Sequence, residues 1–580
     1  MLESLADNFR ARGEDEAWPN QVTSLWAHCT LTGQYYRALE KHVEVRTSHE
    51  GLSLALDGVE VRNHEDASKR WKLRIARVTV KFHQSFARAM DVAVLRELRD
   101  ALDDFESPYL LFRTGTTLYL FLPSSALSLR GILKPLTDRG FYAEAHTREA
   151  PPSSLQLWRS PRSGDVHREL IRAASAKLQK RRDHIKALLD HPGTPPGRKR
   201  EVGPEVGRLD KKLRALRELE SDAPVPRTTT PDSYSSFYPP EVDSTVEIEP
   251  PLCDVCQVRR GIPQRVATVT ENLCNRCWEL RDRGFRQADL RQWEERDSLA
   301  CWICASLDPR RAELLVEALY GQRVIDGVLF VGMAPKQNEK LIPVLSQFRP
   351  LGILRDMHDE FARTITALGE AVRRIFSHVV ELAEGVWIAE LAEKRQLLQL
   401  LRSYVDLMKQ HFPVLLEHHW RSGLLAEAAK AVRLGVSYGP AKWPFYVDWR
   451  HVSDPSHAVA VRGIRSFRFE TDLPGLRALI TGMGKWMDDR PPRVRRYLHE
   501  LAEVERRTGL PDLAWAVVKA DSKEPGPIRA TAQEVVNRFD DGIRKGLFGP
   551  VQVLSLLELT FSGESSRVRG GGGDSYRIHP

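Results

Sequence analysis

Tyr109-Leu110-Leu111-Phe112-Arg113-Thr114-Gly115-Thr116-Thr117-Leu118-Tyr119-Leu120-Phe121-Leu122 places two strand-forming runs on either side of Thr114-Gly115-Thr116. Apolar and β-branched residues that close on a glycine predict a β-hairpin. Upstream, Val78, Val80 and Phe82 alternate at the strand period, and Val92 to Leu102 repeats at helical spacing. Downstream, a helix is expected over Ala126 to Thr137 and a strand over Phe141 to Ala145. The resulting order of strand, helix, strand, strand, helix, strand predicts a ferredoxin-like unit over residues 66–150.

The same order is expected to recur over 293–455. Leu299 to Asp308 reads as a strand, and Pro309 suits the first turn of a helix over Arg310 to Tyr320. A further strand is expected at Val328 to Val331 and a helix from Asp356 to Phe376. His378 to Leu391 reads as a hairpin turning near Glu384-Gly385, followed by a helix over Glu393 to Lys409 and a strand at Val432 to Tyr438. After Ser453 the pattern is mainly helical, at Pro474 to Met487, Pro492 to Arg507, Ile528 to Lys545 and Pro550 to Leu559. These form an expected helical domain over 456–563, and Gly570-Gly571-Gly572-Gly573-Asp574 marks a tail over 564–580. At the other end, Gln21 to His42 reads as a helix within a helical segment over 1–65. Leu25, Trp26, Cys29 and Tyr36 share its expected apolar side, and His28 reads as a half-buried histidine, since no carboxylate adjoins it. The fold class is α+β and multidomain.

Between the two units, over 251–292, stand Cys253-Asp254-Val255-Cys256 and Cys274-Asn275-Arg276-Cys277, two C-x2-C knuckles separated by seventeen residues. Each knuckle sets two thiolates on one tight turn, and two knuckles close a tetrahedral S4 site in which Zn2+ replaces the core that so short a segment lacks. Disulfides are the competing reading, but of the seven cysteines only Cys29 lies outside residues 253–304. Cys301 and Cys304 fall in a strand, where positions three apart face opposite sides, so they read as packing residues rather than ligands.

Lys and Arg number 86 against 78 acids, a net charge of +8 with a pI near 9.0. So modest an excess permits a polyanionic partner without requiring one, and its distribution decides. It concentrates in 164–220, where Arg168, Arg172, Lys177, Lys180, Arg181, Arg182 and Lys186 crowd one helical stretch. Beyond the breaker His191-Pro192-Gly193-Thr194-Pro195-Pro196-Gly197 follow Arg198, Lys199, Arg200, Arg208, Lys211, Lys212, Arg214 and Arg217. A basic helical hairpin is expected, read either as a phosphate-contacting surface or as a solvated face laced with Glu169, Asp183, Glu218 and Glu220. Residues 221–250, rich in Pro, Ser, Thr and acids, read as a linker that completes an insertion over 151–250. No apolar run reaches membrane-spanning length, and Met1-Leu2-Glu3-Ser4-Leu5-Ala6-Asp7 has neither the basic nor the apolar part of a secretory signal, so a cytoplasmic location is expected.

Ser24-Leu25-Trp26-Ala27-His28-Cys29, Leu273-Cys274-Asn275-Arg276-Cys277-Trp278-Glu279-Leu280-Arg281 and Leu434-Gly435-Val436-Ser437-Tyr438-Gly439-Pro440-Ala441-Lys442-Trp443-Pro444, in this order, resemble segments of the large subunit of type III CRISPR effector complexes. The likeness spans most of residues 20–455. It implies an architecture of HD domain, first palm, zinc module, second palm and helical C-terminal domain. It also implies an antiviral ribonucleoprotein, with guide RNA, target nucleic acid and the backbone and small subunits as partners. The chain departs from the family where catalysis resides. His28 is followed by Cys29 instead of aspartate, and Ala383-Glu384-Gly385-Val386 stands where active relatives carry Gly-Gly-Asp-Asp. A structural subunit without its own catalysis is therefore expected, with no catalytic residue assigned. Arg172, Lys177, Lys180, Arg181, Arg182, Arg198, Lys199, Arg200, Lys211 and Lys212 are its candidate nucleic-acid contacts, and Cys253, Cys256, Cys274 and Cys277 its zinc ligands. Two alternatives stand beside it. One is an active relative making cyclic oligoadenylate or cutting single-stranded DNA through Asp308 with Glu381 or Glu384, and the other is a stand-alone zinc protein that binds nucleic acid.

Overall fold

The computed structural model describes residues 25–560 apart from 50, 82–91, 125–126, 151–162, 223–232, 239–250, 255–258, 267–268, 280–298, 332–349, 417–422, 441–451, 453–454, 456, 464–466, 485 and 487–491. Helix α1 (Leu25–Glu40) leads into a small antiparallel sheet of β1 (Val43–Ser48), β2 (Gly51–Leu56) and β3 (Val59–Val61), then α2 (His64–Arg70). The apolar side of α1 differs from expectation. Ala27, Leu31, Tyr35 and Ala38 are buried, whereas Cys29 and Tyr36 face solvent. The helix docks on a sheet through its small and aromatic residues, and the buried set is fixed by that partner and not by which residues are most apolar.

Next come β4 (Leu73–Lys81), α3 (Val92–Asp103), β5 (Leu110–Thr114), β6 (Thr117–Leu122), α4 (Leu129–Asp138) and β7 (Tyr142–Ala150). The strands lie in the order β5-β6-β4-β7, all antiparallel, with Gly115 turning the hairpin at φ 49°. Alternation gives the sheet two buried faces. Ala76, Val78, Val80, Leu118, Leu120 and Leu122 meet Leu98 and Leu102 of α3 and Leu129, Leu133 and Leu136 of α4. Leu73, Ile75, Tyr119 and Phe121 point the other way, into a larger core shared with the second unit. Burial of a side chain the size of Phe121 contributes about 2 kcal/mol, so this second face holds the two units together strongly.

Helices α5 (Ser163–Asp190) and α6 (Pro196–Asp222) form the expected hairpin. The expected linker is not wholly irregular, because β8 (Ser233–Tyr238) pairs antiparallel with β7 as a fifth strand. Its Tyr234, Phe237 and Tyr238 are good strand formers that the surrounding Pro and Ser obscure. The cysteine segment carries the hairpin β9 (Ile262–Val266) and β10 (Val269–Leu273).

The second unit consists of β11 (Leu299–Leu307), α7 (Pro309–Val331), α8 (Pro350–Ile375), β12 (Ser377–Ala383), β13 (Val386–Leu391), α9 (Arg395–His411), the short α10 (Gly423–Ala429) and β14 (Val432–Pro440). Its strands run β12-β13-β11-β14, the order of the first unit. The expected strand at Val328 to Val331 is instead the last turn of α7. Ile325 and Val328 continue the helical spacing of Leu315 and Ala318, and a four-residue apolar run does not by itself distinguish strand from helix. The hairpin turns at Gly385 with φ 76°, where a Cβ would stand 2.5 Å from the Ala305 carbonyl oxygen.

The expectation of helices after Ser453 omits two strands. β15 (Val459–Arg462) lies parallel to β14, and β16 (Arg468–Thr471) lies antiparallel to β15. Helices α11 (Leu473–Met483), α12 (Pro492–Thr508), α13 (Pro511–Asp521), α14 (Arg529–Arg544) and α15 (Pro550–Glu558) follow. The whole is α+β, and among the described residues no helix is long and apolar enough to cross a membrane.

Within the shared core, His358 of α8 is buried with its ring centroid 5.5 Å from Phe112 and 6.2 Å from Tyr119, and neither ring nitrogen has a hydrogen-bond partner among the described residues. Burial, with the neighbouring Arg355 charge adding, pushes its pKa down to about 3. The folded protein therefore holds it neutral, whereas the unfolded chain takes up a proton as pH falls below about 6.5. Stability should fall by about 1.4 kcal/mol per pH unit between roughly 6.5 and 3, close to 2 kcal/mol at pH 5. Urea midpoints at pH 7 and pH 5 check this, since His358→Phe should flatten the difference. Equal acid sensitivity in both proteins would rule His358 out.

Candidate metal centre

The cysteine site is built from a hairpin and two turns. The Cys253 N–H donates to the Arg259 carbonyl at 2.8 Å and the Gly261 N–H to the Pro251 carbonyl at 2.7 Å, which folds the first knuckle back on itself. Gly261 is required there, because a Cβ would lie 2.7 Å from Asn272 Cβ and 2.9 Å from the Leu252 carbonyl oxygen. Asp254 fastens this knuckle to β10. Its N–H donates to the Asn272 carbonyl and its carboxylate accepts the Asn272 N–H, each at 2.7 Å. The second knuckle follows β10 directly. The Cys277 N–H donates to Cys274 Sγ at 3.4 Å, and the Trp278 N–H closes a helical turn on the Cys274 carbonyl at 2.9 Å.

The result brings the Sγ atoms of Cys253, Cys274 and Cys277 within 4.8 Å of one another, all three residues buried and none in a disulfide. Sulfurs bound to a common ion at about 2.3 Å stand at such separations. Three buried cysteines are thus placed to hold a metal ion. Cys256, the expected fourth ligand, lies outside the described residues. Cys301 and Cys304 are not part of the site. They sit on opposite faces of β11, Cys301 in the shared core and Cys304 in a smaller cluster with Trp302 and Ile388. Burial, opposed by the Arg433 charge, pushes the Cys304 thiol up to about 12, which keeps it protonated and apolar.

The knuckles are tied to the first unit. Arg276, between Cys274 and Cys277, donates to Glu97 of α3 at 2.5 Å, and the Arg259 guanidinium lies 3.5 Å from the Cβ position of Gly140, just before β7.

Asp308 stands at the N-terminus of α7. Its carboxylate accepts the Arg310 and Arg311 N–H groups at 3.0 and 3.1 Å as the cap of α7, and it lies 3.5 Å from both Arg311 and Arg433. Glu381 is bonded to Arg373 at 2.6 Å. Among the described residues, no other group of three His, Cys, Asp or Glu side chains comes as close together as the cysteines. His28 is in α1, but its side chain lies outside the described residues.

The candidate nucleic-acid contacts divide into two sets. Arg172, Arg181 and Arg182 of α5 bridge to Glu220, Glu205 and Asp210 of α6, so their charges are paired within the hairpin. Lys177, Lys180, Arg198, Arg200 and Lys211 are exposed, and Lys199 and Lys212 half-buried, with no ion-pair partner among the described residues.

A buried polar cluster went unnoticed in the sequence. Glu313 and Glu317 of α7 are 5% and 1% exposed. Glu313 is paired with Arg77 of β4 and accepts the Tyr119 hydroxyl of β6 at 3.3 Å, while Glu317 lies 3.6 Å from His167 of α5. Burial works against the Arg77 charge, but Glu313 outweighs it and raises the pKa. Burial lowers that of Arg148, with Glu313 and Glu317 opposing. The available signal was two glutamates four apart inside the otherwise apolar stretch from Ala312 to Tyr320.

No protein-family model matches the chain, and no curated protein matches it.

Proposed function

We propose that the chain is the structural large subunit of an RNA-guided, type III-like CRISPR effector complex, binding guide and target nucleic acid and neighbouring subunits without its own catalysis. The observation that carries this reading is the repeat of one strand order, β5-β6-β4-β7 and β12-β13-β11-β14, on either side of the cysteine module. In this reading the two sheets are ferredoxin-like palm domains over 66–150 and 293–455, α1 belongs to an HD-like remnant over 1–65, and α11–α15 form the helical C-terminal domain. Cys256 completes a structural Zn2+ site with Cys253, Cys274 and Cys277. The unpaired cations of the α5–α6 hairpin contact phosphates. Asp308, occupied as a helix cap between two arginines, supports a silent subunit over the reading in which it holds Mg2+ with Glu381 or Glu384.

Purification of the tagged full chain from its native host tests this. Stable guide RNA and several small protein subunits are expected to copurify, and incubation with ATP, Mg2+ and target RNA should yield no oligoadenylate. Isolation of the chain alone, free of RNA, would favour the stand-alone zinc protein. Target-dependent oligoadenylate lost on Asp308→Ala would establish the active enzyme.

A further inference from the structure

The α5–α6 hairpin is asymmetric in how its charges are used. Three acids of α6, Glu205, Asp210 and Glu220, are taken by α5 arginines. This leaves Arg198, Arg200, Arg208, Lys211, Arg214 and Arg217 exposed on α6 without an ion-pair partner among the described residues. Against these six, Glu201 is the one exposed acid on that stretch likewise unpaired. Internal pairing thus leaves a helix of mixed sequence with an exposed surface on which cations outnumber unpaired acids.

The order along that surface is specific. Arg200, Pro204, Gly207, Lys211 and Arg214 recur at three- and four-residue steps and therefore share one helical face. Arg200 and Arg208 stand at the two ends of a step holding Gly203, Pro204 and Gly207. A Cβ built on Gly203 or Gly207 meets no atom of the described residues within 4 Å. Two glycines within a helix cost it about 1 kcal/mol each relative to alanine. Packing against the described residues gives no return for that cost here.

We propose that this face of α6 is a docking track for the phosphodiester backbone of a nucleic-acid strand, with Arg200, Arg208, Lys211 and Arg214 as its phosphate contacts and Gly203 and Gly207 as the floor on which the strand rests. The inference rests on the nucleic-acid reading above and narrows it. It assigns the contact to the outward face of α6 and removes Arg172, Arg181 and Arg182, whose charges are paired with α6 acids, from the contacting set.

Filling the floor is the test, since Gly203→Leu with Gly207→Leu preserves every charge and raises helix propensity. Binding of the full chain to unstructured single-stranded RNA, and in a second arm to single-stranded DNA of equal length, is measured against salt. The double-leucine variant is expected to bind roughly tenfold more weakly at 0.15 M salt, with the slope of log affinity against log salt reduced by about 1.4, as for two lost phosphate contacts. Lys211→Glu with Arg214→Glu should reduce the slope at least as much, whereas Arg172→Gln should leave it unchanged. Circular dichroism is expected to show helix content retained. The arm that weakens identifies the strand as RNA or DNA. Unaltered affinity and slope in the double-leucine variant, with the parent protein binding normally, would overturn the track while leaving the nucleic-acid reading standing. No binding by the parent protein would remove both.

Discussion

Removal of metal is expected to unfold residues 251–279 while leaving both larger sheets intact. Without a bound ion the segment has little to hold it: β9 and β10 are five residues each, Ile262 is 47% and Leu252 42% exposed, and among the described residues its buried side chains are the three thiols and Leu273. In such small modules the free energy of metal binding, apparently about 10–16 kcal/mol for zinc sites, is in effect the free energy of folding. Thiolates deprived of a shared cation repel one another or take up protons, and either outcome opens the knuckles. Metal analysis should therefore give one zinc per chain. Chelation or Cys274→Ser should abolish amide-exchange protection in β9 and β10 and break the Arg276–Glu97 bond, while β4, β6 and β11 keep theirs. Protection that persists in β9 and β10 of metal-free protein would show that the cysteines are a packed core and not a ligand set.

Glu313→Ala is expected to be the most damaging single substitution away from the cysteines, at about 3–5 kcal/mol. The change removes the partner of Arg77, a guanidinium whose side chain is 13% exposed between the two units, and also the acceptor of the buried Tyr119 hydroxyl. A buried cation with no counter-charge costs far more than the lost contact. Restoring neutrality is the control. Arg77→Met with Glu313→Leu should recover most of the loss or exceed the parent, because well-packed apolar pairs often equal a buried ion pair. Urea midpoints of the single and double variants form the cycle that decides it. A single variant within about 0.5 kcal/mol of the parent would mean that water reaches Arg77.

The two units were legible because each hairpin announces itself. Thr114-Gly115-Thr116 and Glu384-Gly385 stand between runs of opposite-face apolar residues, and both turn where expected. The C-x2-C knuckles were legible for a different reason, since pairs of thiols have few reasons to recur three positions apart on turns, and three of the four are found together. What was illegible depends on partners distant in sequence. Tyr234, Phe237 and Tyr238 become a strand only because β7 offers an edge. Cys29 and Tyr36 are exposed because the sheet beneath α1 is met by Ala27, Leu31 and Tyr35. Glu313 and Glu317 look like surface charge until Arg77 and His167 are placed against them. The basic residues of α5 and α6 were visible as a composition, but which of them are consumed by neighbouring acids is a property of the hairpin's register.

The parallel pairing of β15 with β14 bears on how the chain can be divided. A cut at 455, where the helical part was expected to begin, would strip β15 and β16 from the sheet and leave β14 as a bare edge. β14 is buried along nearly its whole length, from Val432 to Gly439, and its Val432, Leu434, Val436 and Tyr438 are apolar. A long, flat, apolar strand with unpaired N–H and C=O groups is a template for pairing with another copy, so such a fragment would aggregate rather than report on the function of either half. A piece that keeps β14 paired must run at least through Arg462, and one that pairs β15 as well runs through Thr471, so both strands belong to the sheet they extend and not to the helices that follow.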